Sequence, residues 1–306
     1  QVVGAKVPTI VNLPTEIRSE KFISANNGSW TQELVQQKYG QDYKYQLQTK
    51  NYSTYDIETF TLYDRLPYAG DVNGSGFTPV LTKALEVESK YTVYYHTSTT
   101  LPASPYDATQ ASGWITADQV SDFTKVTAIK IVLNKGEKIV PGEIVNFQVE
   151  MKTPEYTDGA TDTLTATNVF YTNRDAENPT VFGETNAVKN QLPQYIPVAK
   201  IWNGEKDASI SSIKVELSRA SNPDVVLATM VLNDANEWKG VFKLTIDGKT
   251  LDPTVTDYQV KEVIDEDYGK DYDTVITGEA TQKEGFTITN TRKTTTHTVK
   301  KKWEDN

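Results

Sequence analysis

The sequence predicts an all-β chain that folds as two β-sandwich domains in tandem. Short segments in which apolar and polar residues alternate recur along the chain and are rich in Thr, Tyr, Val and Ile. Turns rich in Gly and Asn separate these segments, and helix signals are nearly absent. The length of 306 residues suits two domains, since a domain usually has roughly 100–200 residues.

The first part of the chain shows five segments with clear strand alternation. They cover residues 43–49, 60–64, 91–95, 128–133 and 145–149. Thr116 is a suitable helix N-cap, so residues 117–123 are the predicted short helix.

Prolines and breaks in the alternation mark the domain boundaries. Lys200 and Trp202 recur as Lys301 and Trp303, about one sandwich length further along, which indicates a tandem repeat. The predicted layout is a leader at 1–14, a large sandwich at 15–190, a linker at 191–196, a small sandwich at 197–293, and a linker with the first strand of a further, truncated copy at 294–306.

Composition argues against several classes of function. The net charge of −10 argues against nucleic acid and anionic membranes as partners. No apolar run is long enough for a transmembrane helix, so we expect no membrane insertion. The absence of cysteine excludes disulfides and thiolate chemistry, and two histidines give no support to a histidine metal site or a Ser-His-Asp triad. We expect no cofactor. We also expect no multiple-turnover enzyme activity, since the acidic residues form no recognisable glycosidase pattern.

Three strands of the small domain place a polar residue in phase with their apolar residues. The polar residues are Lys200, beside Val198 and Trp202; Glu262, beside Tyr258 and Val260; and Asn290, beside Phe286 and Ile288. A strand end that emerges into water explains any one of them, because buried Lys and Glu are rare. Three residues of complementary type in one small domain favour a shared role in its core.

A lysine, a carboxylic acid and an asparagine in one apolar core have the chemistry to form an isopeptide bond. Burial lowers the pKa of a lysine, and the neutral amine attacks the asparagine amide and expels ammonia. A buried, neutral acid shuttles the proton and polarises the amide carbonyl. Core packing supplies the proximity, so the reaction needs no cofactor.

Five ordered motifs in residues 197–293 closely resemble Cna B-type domains of Gram-positive surface proteins and pilins. The motifs lie at 198–202, 213–217, 233–238, 258–262 and 286–291. The resemblance implies an immunoglobulin-like sandwich in which Lys200 is bonded to Asn290 and Glu262 is the catalytic acid. It also implies that Lys301 is the bond lysine of a following copy, whose partner lies outside this chain.

The large domain repeats this pattern with Lys21, Asp64 and Asn168, each in phase with apolar neighbours. The segments that carry a second resemblance are 40–45, 61–67 and 166–171. They are similar to Cna A-like fimbrial isopeptide domains of surface adhesins, in which the triad is Lys, Asp and Asn in chain order. The resemblance implies a Lys21–Asn168 bond with Asp64 as the acid. Lys44 and Lys50 are rival lysines, but both fall on the polar face of their strand.

The sequence suggests a calcium loop as a candidate metal site. Asp71, Asn73 and Ser75 match its first ligand positions, but Thr82 stands where the pattern requires a glutamate. An ordinary turn is therefore the favoured interpretation of this segment.

The predicted function is that of a stalk segment in an extracellular, cell-wall-anchored adhesin or pilus protein, flanked by repeats of the same polypeptide. Isopeptide bonds between the first and last strands of each domain would carry tension in place of hydrogen bonds. They would also restrict the unfolded chain, as a disulfide does. The alternative is that the large domain is itself an adhesin module for a host extracellular protein or glycan, which the long segment 97–123 between strands favours.

Overall fold

The computed structural model describes residues 17–25, 28–157, 164–175, 177–253, 255–263, 266–280, 282, 284–294, 300 and 302. These residues form two compact units. The first unit holds the described residues up to Glu155 and Leu164–Leu192, and the second holds residues 156–157 and those from Pro193 onward. The predicted leader at 1–14 lies outside the described residues.

The first unit is built almost entirely of strands. They are β1 (Ile17–Ala25), β2 (Val35–Gln36), β3 (Asp42–Asn51), β4 (Thr61–Arg65), β5 (Val80–Leu81), β6 (Tyr91–His96), β7 (Ala128–Leu133), β8 (Ile144–Lys152), β9 (Thr165–Asn168), β10 (Tyr171–Asn173), β11 (Gly183–Glu184) and β12 (Val188–Gln191). The sheet orders are β1-β3-β8-β5, β11-β10-β4-β7-β6 and β2-β12-β9. The single α-helix described in this unit is α1 (Pro105–Gln110).

The core of the first unit lies between the inward faces of these sheets. Strand β3 alternates buried and partly exposed residues along its whole length, as a strand with one apolar face does. The largest fully buried apolar side chains are Tyr45, Leu47, Phe60, Leu62, Leu81, Tyr95, Ile129, Ile131, Phe147, Phe170 and Ile23. Lys21 is among the largest fully buried side chains as well, so the core contains an amine.

The second unit is a smaller sandwich of two sheets. Its strands are β13 (Ile196–Asn203), β14 (Ser212–Arg219), β15 (Ala228–Asn233), β16 (Lys239–Phe242), β17 (Tyr258–Val263), β18 (Tyr272–Gly278) and β19 (Phe286–Arg292), with a short helix α2 (Glu266–Gly269) before β18. The sheet orders are β16-β13-β19-β18 and β15-β14-β17. Strands β13 and β19 pair in parallel, so the first and last described strands of the unit are neighbours. The all-β prediction is confirmed.

The predicted helix at 117–123 is wrong. The chain forms one 3₁₀ turn at Ala117–Gln119 and another at Phe123–Lys125, because Val120 between them has extended dihedral angles. Thr116 is the N-cap residue of the first turn, and its backbone N–H donates to Gln119 Oε1 at 3.2 Å. The α-helix forms instead at Pro105–Gln110, where Ser104 caps the N-terminus and proline occupies the first turn, a start signal that the sequence contains.

The segment predicted as a linker is largely structured. Strand β12 continues through Gln191 and β13 begins at Ile196, so four residues lie between the strands. Leu192 is buried and donates its N–H to the carbonyl of Leu164. Gln194 forms an isolated bridge with Leu251.

Among the described residues, no helix has the length and apolar character that a membrane-spanning helix needs.

Glycine at position 285 permits the close approach of the chain to β13 just before β19 begins. Gly285 has a φ of +61°, and a Cβ there would lie 2.1 Å from the carbonyl oxygen of Pro197. Both the backbone conformation and the contact therefore exclude a side chain.

We expect Gly285→Ala to lower the free energy of unfolding of the second unit by about 3 kcal/mol or more. The left-handed conformation costs roughly 1–2 kcal/mol, and the overlap with Pro197 adds roughly 1–3 kcal/mol. Urea unfolding measures the loss. Gly248→Ala is the matched control, since Gly248 has a φ of +77° and a Cβ there would meet nothing within 4 Å; equal losses in both variants would contradict the contact.

Candidate functional site

The structure brings Lys200, Glu262 and Asn290 together inside the second unit. Lys200 Nζ lies 3.0 Å from Glu262 Oε1, and the side chains are 0% and 3% exposed respectively. Asn290, which is fully buried, donates from Nδ2 to the same oxygen at 3.1 Å. One carboxylate oxygen therefore touches both the amine and the amide nitrogen.

The two sheets contribute different members of this triad. Lys200 and Asn290 project from the neighbouring parallel strands β13 and β19, in which Lys200 pairs with Ile288 and Trp202 with Asn290. Glu262 comes from β17 in the opposite sheet. The sandwich therefore has to close before the carboxyl group meets the amine and the amide.

The electrostatics of the second unit favour a neutral amine. Burial lowers the pKa of the Lys200 amine below its ordinary value, although the neighbouring Glu262 acts in the opposite direction. The amine also lies 4.4 Å from the ring centroid of Trp202. A neutral amine is the form of lysine that attacks a carbonyl carbon.

The amide of Asn290 has a free acceptor. Its Oδ1 is buried and has no hydrogen-bond partner in the part of the chain that the structure describes. A buried acceptor left unpaired costs about 1–3 kcal/mol. A half-turn of the amide would exchange its oxygen and nitrogen, so the contact with Glu262 can face either the nitrogen or the carbonyl oxygen of the amide.

The structure also brings Lys21, Asp64 and Asn168 together, in the first unit. Lys21 Nζ donates to Asp64 Oδ2 at 2.5 Å, and Asn168 Nδ2 donates to Asp64 Oδ1 at 3.0 Å. All three residues are fully buried. The carboxylate thus uses one oxygen for the amine and the other for the amide.

Burial shifts both ionisable groups of this triad towards their neutral forms. It lowers the pKa of the Lys21 amine and raises the pKa of the Asp64 carboxyl, and in each case it outweighs the attraction between the two. The amide of Asn168 is fixed by two further acceptors, the carbonyl oxygens of Arg65 at 2.8 Å and Val169 at 3.2 Å. Its Oδ1 is buried and unpaired among the described residues.

One difference from the expected topology concerns the strands that the first-unit triad would link. Lys21 lies in β1, but Asn168 ends β9, and β10, β11 and β12 follow it in the same unit. The triad of the second unit does join its first and last described strands. The expectation that both bonds link first and last strands is therefore wrong for the first unit.

Asn186, which no sequence motif indicates, holds the backbone of Lys21. The Lys21 N–H donates to Asn186 Oδ1 at 2.9 Å, and Asn186 Nδ2 donates to the Lys21 carbonyl at 2.9 Å. The side chain thereby replaces a neighbouring strand at this point of β1. Asn186 lies in the connection between β11 and β12, where strand alternation gives no signal for such a role.

The other candidate residues have local roles. Asp71 accepts backbone N–H bonds from Asn73 and Ser75 on Oδ1 and from Tyr68 on Oδ2, as in a closed turn. Lys44 forms a surface ion pair with Glu150. The described residues contain no group of three or more His, Cys, Asp or Glu side chains that could hold a metal ion. Lys301 lies outside the described residues.

We expect Asn186→Ala to lower the free energy of unfolding of the first unit by about 2 kcal/mol. The substitution removes both hydrogen bonds to the Lys21 backbone, each worth about 1 kcal/mol. Urea unfolding measures the change. Asn146→Ala is the control, since Asn146 accepts a single exposed hydrogen bond from Gln48 and should change stability by less than about 0.5 kcal/mol. Similar losses in the two variants would contradict the role of Asn186.

Comparison with known structures finds weak similarities to pilins and to a repeat of a surface protein. Domains D2 and D3 of the major pilin SpaD from Corynebacterium diphtheriae are 16% identical, with 84% of this chain and 85% of that chain covered and a TM-score of 0.33. BcpA, the major pilin subunit of Bacillus cereus, is 14% identical, with 91% and 71% covered and a TM-score of 0.31. A B repeat unit of the collagen-binding surface protein Cna of Staphylococcus aureus is 18% identical, with 51% and 82% covered and a TM-score of 0.23.

Comparison with curated proteins finds no match. The comparison with protein families is positive for the second unit. The family model of the Cna protein B-type domain matches residues 196–291. This range contains Lys200, Glu262 and Asn290 and begins where β13 begins. The predicted Cna B-type domain is therefore confirmed for this part of the chain.

Proposed function

We propose that this chain is a stalk segment of a bacterial surface adhesin or pilus protein, in which each unit cross-links itself through a Lys–Asn isopeptide bond. The observation that carries the proposal is the contact of one buried carboxyl group with both an amine and an amide, present in each unit. The Cna B-type match at 196–291 supports it for the second unit.

The reaction balances without a cofactor. The neutral amine of Lys200 attacks Cγ of Asn290, and a carbon–nitrogen bond forms while the bond from Cγ to Nδ2 breaks. Glu262 takes a proton from Nζ and delivers it to Nδ2, which leaves as ammonia. The positions of Nζ and Nδ2, at 3.0 and 3.1 Å from Glu262 Oε1, suit this transfer. Lys21, Asp64 and Asn168 would react in the same way.

Such bonds suit a chain that lies extracellularly and carries load along a cell-wall-anchored stalk. Strands β13 and β19 are parallel neighbours, so tension on the two ends of the second unit shears them past each other. A bond between Lys200 and Asn290 would transfer that load to covalent bonds. In the first unit, a Lys21–Asn168 bond would leave residues 169–192 outside the closed loop. The chain has no cysteine to serve the same purpose.

Intact mass tests the proposal most directly. We expect the folded chain to lack the mass of two ammonia molecules, and Glu262→Gln to restore one of them, because glutamine removes the proton relay at nearly constant shape. The variant should also melt at least about 10 °C lower, since closing a loop of this length contributes about 4 kcal/mol in the disulfide analogy.

The matched control for this test is Glu216→Gln, which changes a glutamate of β14 that pairs with Lys214 on the surface. It should keep both ammonia losses and the wild-type melting temperature. An unmodified mass in well-folded wild-type protein would overturn the proposed bonds. An unchanged melting temperature in a Glu262→Gln chain that has lost its bond would deny that bond a stabilising role.

We also infer a second candidate function, in which the first unit binds a host extracellular protein or glycan. The observation that favours it is a cavity of about 380 Å³ with Arg65, Tyr68, Thr97 and Thr99 among its lining residues. Arg65 donates to the carbonyls of Thr99 and Leu101 and has no ion-pair partner in the described part of the chain. The long segment after β6 therefore builds one wall of a cleft that contains a cation and a partly exposed tyrosine ring.

A panel of glycans and extracellular-matrix proteins tests this second function. We expect binding without turnover, and at least about a tenfold loss of affinity in Tyr68→Ala, because ring stacking is worth about 1 kcal/mol or more. Tyr52→Ala is the control, since Tyr52 is similarly exposed but is not among the residues lining the cleft. Absence of binding to the whole panel, or equal binding by both variants, would exclude the cleft as the binding site.

A further inference from the structure

Two consecutive residues of the second unit adopt a backbone conformation that side chains disfavour. Glu237 has a φ of 54° and Trp238 a φ of 59°, and they are the only described non-glycine residues with positive φ. Such a conformation costs roughly 1–2 kcal/mol for each residue. Strain of this kind persists where the surrounding structure holds it in place, and it is frequent at functional sites.

Several contacts hold Trp238 in this conformation. Its N–H donates to the carbonyl of Asn233 at 2.9 Å, and its indole Nε1 donates to Asp234 Oδ1 at 2.6 Å. Its carbonyl accepts the backbone N–H of Lys200 at 2.8 Å. The strained residue is thus bonded directly to the backbone of the triad lysine.

The indole of Trp238 also packs on Trp202, the ring that lies beside the Lys200 amine. It packs edge to face on Trp202, with ring centroids 5.3 Å apart and an interplanar angle of 84°. Tyr272 also packs on Trp202, with ring centroids 5.3 Å apart. Trp202 in turn lies 4.4 Å from Lys200 Nζ. Two rings therefore fix the aromatic surface on which the amine rests.

We propose that Trp238 is a positioning residue for isopeptide formation, and that its strained backbone holds the indole where it keeps water away from Lys200. The inference rests on the proposed bond in the second unit. It assigns a role to Trp238 that involves no contact with the reacting atoms. The indole acts through Trp202 and through the backbone hydrogen bond to Lys200.

Burial, and not a neighbouring charge, is the cause of the lowered pKa of the Lys200 amine. Glu262 of β17 faces Lys200 Nζ directly and favours the charged form. The Lys206 amine lies 5.5 Å from the ring centroid of Trp238, and it donates to the carbonyl of Ile210. Asp234 binds the indole N–H, and the Tyr272 hydroxyl donates to the carbonyl of Glu205. Removing the indole would admit water and raise the pKa of the amine.

The rate of ammonia loss against pH tests this inference. Full-length chains isolated unfolded from inclusion bodies, whose intact mass shows that no ammonia has yet been lost, are refolded by dilution at a series of pH values. The Lys200–Asn290 cross-linked peptide is then quantified by mass spectrometry. We expect Trp238→Gly to slow the reaction at neutral pH by about tenfold for each unit by which the pKa of the amine rises. The whole rate profile should move to higher pH.

The matched control is Glu237→Gly, which relieves the same kind of backbone strain without removing an indole. It should keep the wild-type rate and pH profile. Glycine tolerates positive φ, so a purely structural role for Trp238 predicts that both glycine variants react like the wild type. Trp238→Phe retains a ring and should shift the profile less than Trp238→Gly, which provides a second measurement if the glycine variant folds poorly.

The outcomes separate this inference from the proposed function. Absence of the cross-link in refolded wild-type chains would overturn the proposed bond itself. A wild-type cross-link together with unchanged pH profiles in Trp238→Gly and Trp238→Phe would overturn the role of Trp238 and leave the bond in place. A shift in the Trp238 variants but not in Glu237→Gly would support the inference.

Discussion

The structure depends on the burial of an amine, a carboxyl group and an amide next to one another in each core. A lone lysine or carboxylate could not be buried in this way, because an unpaired charge in an apolar interior costs several kcal/mol. Each core avoids that cost by pairing the groups, and in the first unit burial also shifts Lys21 and Asp64 towards their neutral forms. In the cross-linking reaction that we propose, the same desolvation that makes burial expensive would prepare the amine as a nucleophile.

The two units differ in the contacts of the carboxyl group and in the sheets that supply the three residues. In the second unit, one oxygen of Glu262 contacts both the amine and the amide, and the groups come from the two sheets of a sandwich. In the first unit, the two oxygens of Asp64 divide the contacts, and the three residues come from three sheets. The similarity between the units therefore lies in the chemistry of the triad and not in the strand order.

The surroundings of each lysine have a common feature. The backbone N–H of Lys21 is held by the side chain of Asn186, and that of Lys200 by the carbonyl of Trp238. Each of these partners lies in a connection outside the named strands. A long, flexible side chain such as lysine is placed accurately only if its backbone is fixed, and these contacts supply that support from outside the triad.

The sequence by itself determined the all-β class and which residues share a face, because strand alternation has a period of two. That period was enough to select Lys200, Glu262 and Asn290, and also Lys21, Asp64 and Asn168, as inward-facing residues. It placed Lys44 correctly on the polar face. The helix at Pro105–Gln110 also has a start signal in the sequence, namely Ser104 followed by proline.

Only the tertiary structure decided which strands lie next to one another. Alternation gives the face of a side chain but not the strand opposite it, because pairing depends on contacts between residues far apart in the chain. For this reason the sequence did not reveal that Asn168 lies three strands before the end of its unit, or that Asn186 completes the edge of β1. The sequence also did not reveal the left-handed backbone at Trp238. The energetic cost of that conformation arises within the residue itself, whereas the packing that holds it in place comes from Trp202 on another strand.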